Sequence, residues 1–150
     1  MTTKDTSATQ EEAKIRWLLD DRLDALRAKD AQRFMSHFAE GFVTYELAPP
    51  LQYTAGDPHD TKSLEEWFSS FHGSVECEMR DLHIFTDNEV AFCHSLYRIA
   101  GAKSDEQIDM WTRQTICFRK EYGKWQIAHS HTSVPFHMDG SRKAAVELKP

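Results

Sequence analysis

Four stretches in the second half of the chain, VECEMRDLHIF (75–85), VAFCHSLYRI (90–99), QIDMWTRQTICFR (107–119) and WQIAHSHTSV (125–134), alternate in character with period two. That period puts successive side chains on opposite faces of a half-buried strand. The separators TDNE (86–89), GAKSD (101–105) and EYGK (121–124) are turn-like and too short for a helical crossover. Four antiparallel neighbours in sequence order are therefore predicted.

Towards the N-terminus the period changes. Ile15, Leu18, Leu19, Leu23 and Leu26 fall at helical spacing between Glu11 and Lys29, the pattern of an amphipathic helix. Asp30 can cap a second, short helix through Phe38, with Gly41 ending it. The run FVTYEL (42–47) is rich in branched and aromatic residues and stops at Pro49-Pro50, whose missing amides forbid further pairing, so a short strand is predicted. Ser63 and Glu66 offer a capping box for a third helix carrying Leu64, Trp67, Phe68 and Phe71, closed by Gly73. Helices first and a meander afterwards give an α+β fold.

A length of 150 residues suits one domain, and 40% hydrophobic residues with nine Phe, four Trp and four Tyr furnish its core. A flexible leader is expected over residues 1–10, the domain over 11–139 and a loosely docked tail over 140–150. The net charge of −6, with no face gathering Lys and Arg, excludes a nucleic-acid footprint. No apolar run approaches the roughly 18 residues of a membrane span and no targeting signal is visible, so a cytoplasmic location without membrane contact is expected. Cys77, Cys93 and Cys117 offer neither a disulfide framework nor a CxxC site and read as buried thiols. Gly-rich phosphate loops, Walker patterns and Ser-nucleophile signatures are missing, so no cofactor is expected.

The order of elements and the runs RAKDAQRFMSHFAEGFVTYE (27–46) and GKWQIAHSHTSVP (123–135) resemble the SnoaL-like and ketosteroid isomerase-like proteins of the nuclear transport factor two-like superfamily. The second run also looks like the final strand of the association domain of calcium/calmodulin-dependent protein kinase II, which is no enzyme. PPLQY (49–53), DMWTR (109–113) and CFRK (117–120) look closest to bacterial ketosteroid isomerase homologues. The resemblance covers nearly the whole chain. It implies three N-terminal helices packed in a curved antiparallel sheet, a cone-shaped pocket between them and a homodimer through the convex sheet face. One fold hosts unrelated functions, so activity has to be argued from the site.

Glu46 matches the place where steroid isomerases keep their carboxylate base, at the end of the first strand. Among aromatics such a carboxylate gains basicity and suits proton abstraction beside a carbonyl; otherwise it faces solvent or pairs with an Arg. The isomerases' two neutral donors are not matched: Arg22 stands at the tyrosine's place, and the aspartic acid's place falls near Thr115 or Ile116. Arg22 can bind an anionic substrate, pair with Glu46, or snorkel from the margin of the apolar stripe.

Val90, Phe92, His94, Leu96 and Arg98 share a mainly apolar face, which is expected to point inward. There His94 would shuttle protons and Arg98 clamp a carboxylate or enolate oxygen, or the two would be a core histidine and a structural ion pair. On the next strand Met110, Ile116 and Phe118 make the better core set. Trp111 and Arg113 then fall on a subunit interface, and in the opposite phase they line the pocket. His129 and His131 lie two apart with no convincing third ligand, so they read as packing, ligand or subunit contacts and no metal site is expected. Trp67 and Phe71, with Tyr45 and Tyr53, can line the pocket mouth.

Two functions follow from these residues. One is a cofactor-free isomerase, cyclase or dehydratase acting on a hydrophobic or carboxylated small molecule through Glu46, His94 and Arg98. The other is a non-catalytic dimeric module for ligand binding or association.

Overall fold

A computed structural model describes residues 3–150, with side chains from position 8 onward. In chain order it contains α1 (Thr3–Arg27), α2 (Ala31–Met35), β1 (Phe38–Tyr45), β2 (Tyr53–Gly56), α3 (Lys62–Ser69), β3 (Phe71–Thr86), β4 (Val90–Lys103), β5 (Glu106–Glu121) and β6 (Lys124–Ser133). The strands form one open, curved sheet in the order β2-β1-β6-β5-β4-β3. β3 to β6 are the expected antiparallel meander. β1, however, lies parallel to β6, with Val43 opposite His129 and Tyr45 opposite His131. The edge strand β2 pairs with β1 where Gly56 meets Phe42; a Cβ there would come within 2.5 Å of the Phe42 ring.

Two glycines read as helix stops are instead strand bulges. α2 ends at Met35 and α3 at Ser69, while Gly41 (φ 76°) and Gly73 (φ 83°) sit inside β1 and β3 at register shifts. Positive φ is needed equally at a helix C-cap and at a bulge, and both bulges bend their strands. Asp30 caps α2 as expected, accepting from the Arg33 amide at 3.1 Å. The Ser63–Glu66 capping box does not form: the N-cap of α3 is Thr61, whose side chain makes no capping bond.

α1 begins at Thr3, so helical backbone covers positions expected to be leader. Met1 and Thr2 lie outside the described residues, as do the side chains before position 8. Glu11 ties this helix to the β5–β6 hairpin, accepting from Trp125 Nε1 at 2.6 Å and Lys120 Nζ at 2.9 Å. The hydrogen bond from Lys120 does most to hold its carboxyl down at about 2. The C-terminal segment is largely exposed and touches the domain at a few points. The Ala145 amide donates to Pro135 O at 2.8 Å, Ala145 is 2% exposed, and His137 Nε2 meets Glu147 at 2.5 Å.

The core between helices and sheet is divided into two clusters. The first gathers Ile15, Leu18 and Leu19 of α1 with Met35, Phe38, Cys93, Ile116, Phe118, Trp125 and Ile127. The second gathers Leu26, Ala31, Phe68, Phe71, Val75 and Cys77. Each large side chain so buried stabilises by about 1.5–3 kcal/mol. Phe34 and Leu64 touch both clusters. Along α1 the break falls between Leu19 and Leu26, where Arg22 projects.

Candidate functional site

The phase of β4 decides what lines the interior. Cys93 is fully buried in the first cluster and Tyr97 and Ile99 pack against the second, so Ala91, Cys93, Ser95, Tyr97 and Ile99 face inward. The expectation for Val90, Phe92, His94, Leu96 and Arg98 is thereby corrected, because they occupy the outer face. The inner set holds no charged residue, whereas the outer set carries His94 and Arg98. On β5 the phase is as preferred, with Ile116 and Phe118 buried at 0% and 2% and Trp111 and Arg113 on the outer face.

Arg22 is the charged group inside the break in the core. It is 8% exposed, and its guanidinium carbon lies 4.5 Å from the ring centre of Phe34 and 5.5 Å from that of Phe38. Its Nε is sealed without a partner, the terminal nitrogens are not so sealed, and among the described residues none of the three meets an acceptor. Burial lowers its proton affinity, against the influence of Tyr97, Cys93 and Glu46. A guanidinium starts so far above neutrality that it remains charged.

Three residues of the opposing strand face this cation. Burial pushes the Tyr97 phenol well above its ordinary range, leaving a neutral donor at pH 7. Burial also pushes the Cys93 thiol up to about 11, which removes it as a nucleophile. Between them the Ser95 hydroxyl is buried without a partner.

Glu46 follows β1 on the same side. Thr44 is buried and Tyr45 packs on the outer face, so alternation returns Glu46 to the inner side. It is exposed, yet its charge is felt at both Arg22 and Tyr97. The arrangement is thus a desolvated cation and a neutral phenol inside, with a carboxylate at the rim. Such a set can hold a negatively charged oxygen and exchange a proton beside it.

The other candidates lie elsewhere. His94 is exposed on the outer face, its ring 5.2 Å from that of His83. Arg98 is committed to Asp109 through two bonds of 2.8 and 2.9 Å. Trp111 carries the Arg80 guanidinium at 4.7 Å, and Arg113 lies in an outer groove of about 400 Å³ with His83 and His94. Tyr45 meets the rings of His129 and His131 edge-on at 4.7 and 5.3 Å, and His129 Nδ1 lies 2.7 Å from Val43 O. Tyr53 is exposed on β2 and donates to Pro49 O at 3.3 Å. Phe71 is buried in the second cluster, and the partly buried Trp67 meets it edge-on at 4.8 Å.

Sequence reasoning missed Tyr97 and Ser95. A signal was available in the β4–β5 register: Lys103 pairs with Glu106 across a two-residue turn, which puts Cys93 opposite the core residue Ile116.

An open curved sheet over N-terminal helices defines the NTF2-like α+β class. Within it the chain belongs to the SnoaL-like domain family, whose profile matches residues 15–137. Nothing among curated proteins matches the chain. An NTF2-like protein of unknown function from Pseudomonas putida KT2440 is 27% identical, over 95% of this chain and 99% of that one, with a TM-score of 0.85. A candidate scytalone dehydratase from Novosphingobium aromaticivorans DSM 12444 is 18% identical, over 95% of each chain, with a TM-score of 0.74. The association domain of CaMKII from C. elegans is 15% identical, over 85% of this chain and 98% of that one, with a TM-score of 0.65. The last two share the fold alone. No helix of the described residues is long and apolar enough to cross a membrane.

Proposed function

We propose that the protein takes up a small hydrophobic or carboxylated molecule in the break between its two core clusters and acts on it as a cofactor-free isomerase, cyclase or dehydratase. The observation that carries this reading is Arg22, a buried cation with no acceptor among the described residues, because burying an unpaired charge costs several kcal/mol, more than its stacking on Phe34 returns. Glu46 takes a proton from carbon beside a carbonyl, and the electron pair moves onto the carbonyl oxygen, which the neutral Tyr97 phenol holds while Arg22 anchors a carboxylate elsewhere on the molecule. Returning the proton to another carbon completes an isomerisation; expelling a β-hydroxyl as water completes a dehydration. The latter direction is the one named for the fold neighbour described as a candidate scytalone dehydratase. His94 and Arg98 have no part in this site. The protein would work on such metabolites in the cytoplasm.

The test is proton exchange. Wild type and Glu46→Gln are incubated in D2O with a panel of aryl ketones and keto acids, and loss of the α-proton signal is followed by NMR. Exchange by wild type that Glu46→Gln loses supports the reading; equal exchange by both removes Glu46 from the chemistry.

A second reading concerns the outer face, where Phe85 and Phe92 stack at 4.8 Å while remaining 50% and 46% exposed. An apolar strip of this kind suits association with a second copy of the chain. The resulting homodimer is compatible with either an enzyme or a non-catalytic association module.

A further inference from the structure

The interior also specifies the class of molecule it receives, provided that it is a small-molecule site as proposed above. Phe34 and Phe38 lie to one side of the Arg22 guanidinium, their ring centres 4.5 and 5.5 Å from its carbon. Its terminal nitrogens, which meet no acceptor among the described residues, are left for a planar, bidentate acceptor. Phe34 and Leu64, which touch both clusters, supply apolar walls beside it. The Tyr97 hydroxyl makes no hydrogen bond among the described residues, and its side chain packs against the second cluster on the inner face of β4. We infer that the occupant is an organic monocarboxylate with an apolar body, its carboxylate received by the Arg22 fork.

Charge balance sets the valence. One carboxylate neutralises Arg22, whereas a neutral ligand leaves a desolvated cation unmatched. A phosphate dianion would bring a second negative charge towards Glu46, whose field already reaches Arg22 and Tyr97. The body of the ligand meets phenyl and leucyl surface and gains by burial.

The experiment is calorimetric titration of the full chain with monocarboxylates from acetate to naphthoate, the matching primary amides, inorganic phosphate and benzene. Wild type, Arg22→Met and the outer-face variant Arg113→Ala are compared, with circular dichroism confirming that each is folded. The expected result is that an aryl carboxylate binds wild type and Arg113→Ala. Its amide and its complex with Arg22→Met should be weaker on the order of 30-fold or more. Equal binding of acid and amide, or displacement of the acid by phosphate at similar concentration, overturns the class while leaving an interior site in place. Loss of acid binding in Arg113→Ala but not in Arg22→Met moves the ligand to the outer groove and overturns the inference. If acids, amides and benzene all fail to bind wild type, the interior is not a ligand site and both proposals fall.

Discussion

The guanidinium of Arg22 stacks 4.5 Å above the ring centre of Phe34 while its Nε, sealed in the core, meets no acceptor. Stacking on a desolvated ring returns about 2 kcal/mol, less than the several kcal/mol that removing the cation from water costs. The residue is therefore held at the expense of stability.

Arg22→Met keeps the length of the side chain and removes the charge. It is expected to raise the unfolding free energy by about 1–3 kcal/mol in urea titration, together with the loss of ligand affinity described above. A variant less stable than wild type would assign Arg22 to the architecture instead.

Glu46 is exposed at a strand end, so Glu46→Gln is expected to change stability by no more than about 0.5 kcal/mol. Its α-proton exchange rate should fall on the order of 100-fold or more. Thermal melting and NMR exchange on the same preparation separate the two effects.

Glu11 predicts an acid limb of stability. The Lys120 and Trp125 bonds hold its carboxyl at about 2 in the folded protein, below its ordinary 4.5. A depressed folded value means that the contribution is fully present above the ordinary value and is lost as pH falls towards about 2. Glu11→Gln should be less stable than wild type by about 1–2 kcal/mol at pH 7, and the gap should narrow at pH 3, as measured by urea midpoints.

On the outer face, Phe92→Glu puts a charge beside Phe85 in an exposed stack. Sedimentation equilibrium is expected to show wild type as a dimer and the variant shifted to monomer, with interior ligand binding unchanged. A wild-type monomer would contradict the association surface.

The meander was legible because period-two alternation and short turns are local signals. For Arg22 the sequence left three readings open: binding an anion, pairing with Glu46 or snorkelling from the margin of the apolar stripe. The phase of β4 was misread because Phe92 and Leu96 were given more weight than His94 and Arg98 on the same face, although the alternate set from Ala91 to Ile99 holds no charge. The β4–β5 register, which sets Cys93 opposite Ile116, is a non-local fact. The parallel pairing of β1 with β6 is likewise non-local, joining Tyr45 to His131. Gly41 and Gly73 announced positive φ correctly, but sequence could not tell a helix end from a bulge two or more residues later.

The most direct test of the central claim is a crystal structure of the protein grown with a saturating aryl carboxylate. The account predicts ligand density between the two core clusters, its carboxylate against the terminal nitrogens of Arg22 and its body against Phe34. Density confined to the outer groove, or an Arg22 side chain paired with a protein carboxylate and closing the interior, would contradict it.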